Sequence, residues 1–183
     1  MDEMKIEKRI IEVVNYEDKW PAEFRKEAEM LLNLLSKEIV HVHHIGITAV
    51  PGLRAKPVID ILVEVNNIDA LDQYNSKMEQ AGYIPKGEFG IAGRRFYLKG
   101  LYNRTHHVHA FNAGSTAVDR HIAFRDYLIA HPVVAKEYAE LKARCAAECN
   151  NDNERYCAAK HEFVTAHEKK ALEWVKSGRQ RQS

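Results

Sequence analysis

One acid and two histidines carry the chemistry that this sequence advertises. Asp60 sits inside the apolar run VIDILVEV, and His107 and His109 alternate with apolar residues in HHVHAFN. A carboxylate within an apolar strand is costly to bury without a partner. Imidazole and carboxylate groups together bind divalent metals or pass protons. Cationic groups for an anion stand nearby in the chain at Lys56, Arg94 and Arg95, and the stretch GITAVPG places Gly46 and the Thr48 hydroxyl just before the Asp60 run. Arginine and lysine suit phosphate, and glycine after a strand lets backbone approach a ligand closely. The stretch is not a P-loop: five residues separate Gly46 from Gly52, and Leu53-Arg54 follows where Lys-Ser/Thr is required. It remains a candidate anion cradle, with an early helical turn offering N–H groups.

These residues need a scaffold. Period-two alternation puts Ile59, Ile61, Val63 and Val65 on one strand face and Asp60, Leu62 and Glu64 on the other. Glu64 then lies about 13 Å from Asp60, too far to share one ion. His107, His109 and Phe111 share a face of a second strand, opposite Val108 and Ala110. If the two strands are neighbours, Asp60 and both histidines open into one cleft with the Gly46–Gly52 loop at its rim.

The remaining pattern predicts an α+β fold, a small mixed β-sheet with packed helices and a C-terminal helical segment. RIIEVVNY reads as a short strand or extended arm. Phe24, Ala28, Leu31 and Leu35 mark an amphipathic helix, with Asp18 as its cap and Pro21 in its first turn. IVHVHHIG and VIDILVEV are strands, Leu71, Tyr74, Met78 and Ala81 form a helical stripe ending at Gly82, and RRFYLKG and HHVHAFNAG are further strands. From about Thr116 the pattern is helical: RHIAFRDYLIAH, stopped by Pro132, then VVAKEYAELKARCAAE and NERYCAAKHEFVTAHEKKALEWVK. Residues 1–176 read as one domain, and 177–183 as a disordered polar tail with nothing to bury.

A net charge of +1 argues against bulk nucleic-acid binding and for a small anionic ligand. The chain shows no signal-peptide pattern and no run of about 18 apolar residues, so a cytoplasmic location with no membrane association is expected; the oligomeric state is not specified. Cys145, Cys149, Cys157 and His161 are spaced C-x3-C-x7-C-x3-H. A helical hairpin could turn them into zinc ligands, but known structural sites favour tighter spacing on loops, and the expectation is reduced thiols in helix packing.

VVNYEDKWPAEF, HHIGITAVPGLRAKPVIDILVEV, HHVHAF, AFRDYLIAHPVVAKEYAELK and ERYCAAKHEFV occur in an order that resembles the GrpB family over nearly the whole chain. The resemblance implies a nucleotidyltransferase-like fold and a domain also found fused to dephospho-coenzyme A kinases. It maps Gly46 and Thr48 onto the loop of that fold and Asp60 onto its first carboxylate. Ile47 stands where the family usually has serine, Leu62 replaces the second carboxylate, and His107 or His109 occupies the region of the third. Paired carboxylates align two magnesium ions in standard nucleotidyl transfer. Their absence favours a protein that binds a nucleotide or coenzyme A-like anion, with one divalent ion (Mg2+, Mn2+ or Zn2+) at Asp60, His107 and His109. The alternative is a metal-dependent nucleotidyl- or phosphoryl-transferring enzyme using the same three residues.

Overall fold

The computed structural model describes residues 12–148 and 153–182. Five strands, β1 (Ile39–Ile45), β2 (Ile59–Val65), β3 (Tyr83–Pro85), β4 (Arg95–Lys99) and β5 (His106–Asn112), form one mixed sheet in the order β1-β2-β5-β4-β3. β2 and β5 run parallel at its centre and the other pairings are antiparallel. The helices are α1 (Trp20–Leu34), α2 (Asn75–Gln80), α3 (Thr116–Ala130), α4 (Pro132–Glu148) and α5 (Asn153–Gln182). The α+β expectation holds, but α5 runs on to Gln182, so the stretch after residue 176 extends the helix rather than forming a disordered tail.

Alternation along β2 divides the core in two. Ile59, Ile61, Val63 and Val65 join Val108 and Ala110 of β5 beneath Leu31 and Leu35 at the α1 end. On the opposite face Leu62 and Phe111 pack with Ile45 and with Val118 of α3. A near-continuous apolar strand is what a central, doubly covered strand requires. Only Asp60 and Glu64 break the run; Glu64 is met by His43 of β1 at 2.6 Å.

Two local expectations need correction. Asp18 does not cap α1: Lys19 occupies the N-cap in helical conformation without a side-chain bond, because its carbonyl already accepts from Ala22 and Glu23 N–H. The stripe at Leu71–Ala81 is not one α-helix: residues Ile68–Tyr74 form a 3-10 helix before α2. Three residues per turn bring Asp69 and Asp72 onto one side, where Arg95 donates to both, at 2.9 Å and 2.7 Å. β3 escaped the sequence pattern because three residues are too few to show a period. Of the cysteines, Cys145 is a buried free thiol; Cys149 and the side chain of Cys157 lie outside the described residues. Among the described residues no helix is long and apolar enough to cross a membrane.

The α1-facing side of the sheet carries its own polar knot. Glu27 of α1, 7% exposed, accepts from the Tyr83 hydroxyl at 2.6 Å and from Lys99 at 2.5 Å. Burial opposes ionisation of Glu27, but the bonds from Lys99 and Tyr83 outweigh it and hold the carboxyl below its ordinary pKa. Glu27→Ala strands both donors and is expected to cost about 2–3 kcal/mol in urea denaturation. A loss under about 0.5 kcal/mol would show that the knot does not tie α1 to the sheet.

Candidate functional site

The parallel β2–β5 register sets Asp60 directly beside His107 and Leu62 beside His109. Both imidazoles reach the same carboxylate oxygen: His107 Nδ1 lies 3.2 Å and His109 Nε2 3.5 Å from Asp60 Oδ1. Burial would raise the Asp60 pKa, but hydrogen bonds from His107 and His109 overcome it and hold the carboxyl well below the usual carboxylate range. Burial is also the largest influence on His109 and lowers its pKa, with Asp60 opposing. The ionised acid with a neutral His109 donating Nε2–H is the consistent assignment, since Arg94 Nη1 stands 3.5 Å from His109 Nδ1 as a donor.

Gly46 explains the loop. Its φ is +71°, and a Cβ there would sit 2.7 Å from Asp60 Oδ2. Chain reversal after β1 thus lays bare backbone against the carboxylate, which any side chain would push aside. Ile47–Ala49 then makes a single 3-10 turn. Thr48 is 2% exposed, and its hydroxyl meets His44 Nε2 at 3.0 Å. Burial pushes His44 down to about 4, so it is neutral near pH 7.

Gly46, Thr48, Lys56, Asp60, His107 and His109 all line one cavity of about 400 Å³. Sequence reasoning brought these six together, and it missed the far wall. Arg104 enters from the loop before β5, His121 from α3, Lys142 and Tyr138 from α4, and Lys160 and Glu168 from α5. Lys142 is 7% exposed, and burial, with Lys160 and Lys56 adding to it and Asp60 opposing, pushes its amine down to about 7. Burial likewise lowers His121 to about 4. A signal for Lys142 was present: Ala135, Tyr138, Ala139, Lys142 and Cys145 are the buried positions of α4, so a lysine occupies the helix's apolar stripe. Arg104 lies in a loop where no periodicity marks it.

The two adjacent arginines part company. Arg95 points to the α1-facing side, where Asp69 and Asp72 hold it, and does not line the cavity. Arg94 is 6% exposed, lies over the Phe96 ring at 4.6 Å, and bonds the Glu88 and Phe89 carbonyls. It is a buttress behind His109 rather than a cavity-lining cation.

Asp60, His107 and His109 each offer one atom for a cation, and the three lie within 4.8 Å of one another. The 3.2 and 3.5 Å separations approach the edge of about 3.3 Å that a tetrahedron with 2.0–2.1 Å bonds demands. Two nitrogens and one oxygen suit zinc or manganese better than magnesium, which prefers oxygen. The donor set fits a divalent transition metal once His107 Nδ1 and His109 Nε2 both give up the protons they direct at Asp60; His109 then carries its proton on Nδ1, and the Arg94 donor beside it must turn away.

Fold and site together define an α+β protein with a cation-lined cavity at the junction of its sheet and its C-terminal helices. Residues 10–170 match the GrpB protein family, and the chain belongs to it. A UPF0157 protein, YqkA of Bacillus subtilis, is 46% identical over 169 residues, covering 92% of this chain and 49% of the relative, so the chain spans about half of that protein's length. The crystal structure of conserved protein GrpB from Enterococcus faecalis superposes with a TM-score of 0.86 at 39% identity, covering 90% of this chain and 99% of that one. A dephospho-CoA kinase of Mycolicibacterium paratuberculosis matches 91% of the chain at 23% identity, over 47% of its own length, which agrees with the fusion implied by the family resemblance.

Gly46→Ala tests the packing at the centre of the site. The contact with Asp60 Oδ2 and the positive φ should together cost about 2 kcal/mol or more in denaturant unfolding. An unchanged midpoint would mean that the carboxylate is free to move away.

Proposed function

We propose that the cavity binds a small phosphate-bearing ligand, a nucleotide or coenzyme A-like molecule, and that Asp60, His107 and His109 hold one divalent transition-metal ion beside it. The observation that carries this reading is the convergence of Lys56, Arg104, Lys142 and Lys160, from four separate segments, on one cavity whose acids are Asp60 and Glu168. Like charges gathered at a partly buried wall repel one another, and a polyanion relieves that repulsion. Arginine adds a planar donor fork and the lysines add point charges, the usual complement for phosphate oxygens. The dephospho-CoA kinase relative adds a coenzyme A-like ligand to the candidates.

Binding is favoured over standard two-metal nucleotidyl transfer. The position for a second carboxylate is Leu62, wholly buried among Ile45, Phe111 and Val118, and turning it into an acid would place a charge in the apolar core. A bound cation would supply positive charge to phosphate oxygens. Asp60 would anchor it, and Gly46 would keep the carboxylate in place.

Thermal unfolding of the whole chain with pyrophosphate, ATP or coenzyme A, with and without Zn2+, Mn2+ or Mg2+, tests the reading. A ligand at about 100 times its Kd should raise Tm by roughly 5 °C or more, with Zn2+ or Mn2+ more effective than Mg2+. Asp60→Asn should fold and lose the metal-dependent part, whereas Glu64→Gln should keep it, because Glu64 is engaged by His43. No shift with any combination, or equal losses in the two variants, would overturn the proposal.

Lys142 supplies a second test. An anion raises the amine's pKa, so the complex takes up a proton, and affinity must fall as pH climbs through the free amine's value of about 7. Sulfate keeps its charge throughout, so its affinity measured at constant ionic strength should drop roughly three- to tenfold between pH 7 and 9. Lys142→Met should flatten the profile; an equally steep profile in that variant would remove Lys142 from the anion's surroundings.

A further inference from the structure

The loop of residues 86–94, between β3 and β4, holds a side chain that folding alone does not explain. Phe89 has φ of +45°, the one non-glycine residue with positive φ among the described residues. It is 60% exposed, yet it lines the cavity that contains Asp60. A bulky residue in that region of backbone space is strained, by about 1–3 kcal/mol. An exposed ring recovers little of that cost through burial. Glycines serve the same loop at residues 87, 90 and 93, all with positive φ, so the loop has no general need of a side chain in this conformation.

The ring is also fixed. Arg94 donates Nη2 to the Phe89 carbonyl at 2.7 Å and Nε to the Glu88 carbonyl at 3.1 Å, and the Gly93 N–H donates to Glu88 Oε1 at 2.7 Å. The Phe89 ring stacks on Phe96, centroids 5.4 Å apart and planes 17° from parallel. Phe96 in turn touches His107 and His109, at 5.5 and 4.9 Å between centroids. A preordered aromatic ring at the mouth of a cationic cavity, backed by another ring, is the arrangement that holds a planar ring by stacking.

We infer that Phe89 is a stacking platform, and that the ligand carries a planar aromatic ring, such as a nucleobase, outside the cavity while its phosphates lie within. The inference rests on the proposed anion site and names the part of the ligand that the cations do not read. Stacking tolerates any base, so Phe89 selects ring-bearing anions over bare phosphates rather than one base over another.

The test compares binding of ATP, UTP and inorganic tripolyphosphate to the whole chain by calorimetry, in the wild type, Phe89→Gly and Phe89→Trp, with Tm recorded for each. The wild type should bind both nucleotides about tenfold more tightly than tripolyphosphate. Phe89→Gly should bring all three to the same affinity without changing that of tripolyphosphate, and Phe89→Trp should keep the preference. Because glycine relieves the positive φ, Phe89→Gly should melt at the wild-type temperature or above it; a structural role would make it melt lower. Equal binding of nucleotides and tripolyphosphate by the wild type, or parallel losses for all three ligands in Phe89→Gly, would overturn the platform and leave the anion site standing. Failure of every anion to bind the wild type would overturn the anion site, and the platform with it. Should Phe89→Gly not fold, Phe89→Leu, which keeps an apolar side chain but no ring, takes its place: loss of the nucleotide preference supports the platform, and a retained preference overturns it.

Discussion

A carboxylate kept ionised inside a sheet sets the terms for everything around it. Asp60 interrupts the most buried strand of the protein, and its charge survives because two imidazoles donate to one of its oxygens. That arrangement requires β5 to lie beside β2 in parallel register, and a parallel neighbour requires a long crossover. The connection through α2, β3 and β4 meets that topological need. It also places Phe96 and Arg94 against the imidazoles from the other side.

The same charge dictates the loop that precedes it. Backbone at Gly46 lies so close to Asp60 that a side chain there would displace the carboxylate, and the following 3-10 turn hides Thr48 against His44. His44 stacks on Phe24 of α1, centroids 4.7 Å apart, so α1 and the loop pack as one piece. The Thr48 hydroxyl, which by sequence looks ready for a phosphate, already has a partner. The positive charge on the cavity wall comes from Lys56, Arg104, Lys142 and Lys160.

Those cations show how the C-terminal helices serve the sheet. Lys142 lies in the apolar stripe of α4, and Lys160 shares the cavity wall with Val164 and Glu168 of α5. Around them the helices are joined by aromatic contacts, including Tyr138 stacked on Phe163 at 5.0 Å with planes 3° apart. A lysine at a core position costs stability. Packing by neighbouring rings keeps the helices in place despite that cost, and the cavity gains a wall that the sheet alone lacks.

The sequence by itself determined the long strands and helices and the face of each strand that carries chemistry. Alternation in VIDILVEV and HHVHAFN assigned faces correctly, because a strand's two-residue period is a property of the backbone; that Asp60, His107 and His109 meet required the sheet to place β5 beside β2. The sequence also determined that a leucine, not an acid, stands two residues after Asp60, since the identity of Leu62 is read directly from the chain. Tertiary structure decided the rest. Arg94 and Arg95 are indistinguishable in the chain, yet one backs His109 and the other clamps a 3-10 helix, because adjacent strand residues face opposite ways and only the sheet's neighbours say what lies on each side. Lys142, Lys160 and Arg104 come from segments roughly 40 to 100 residues away from Asp60 in sequence, beyond the reach of any local period. Their convergence is a property of how the helices dock, and no spacing in the chain encodes it.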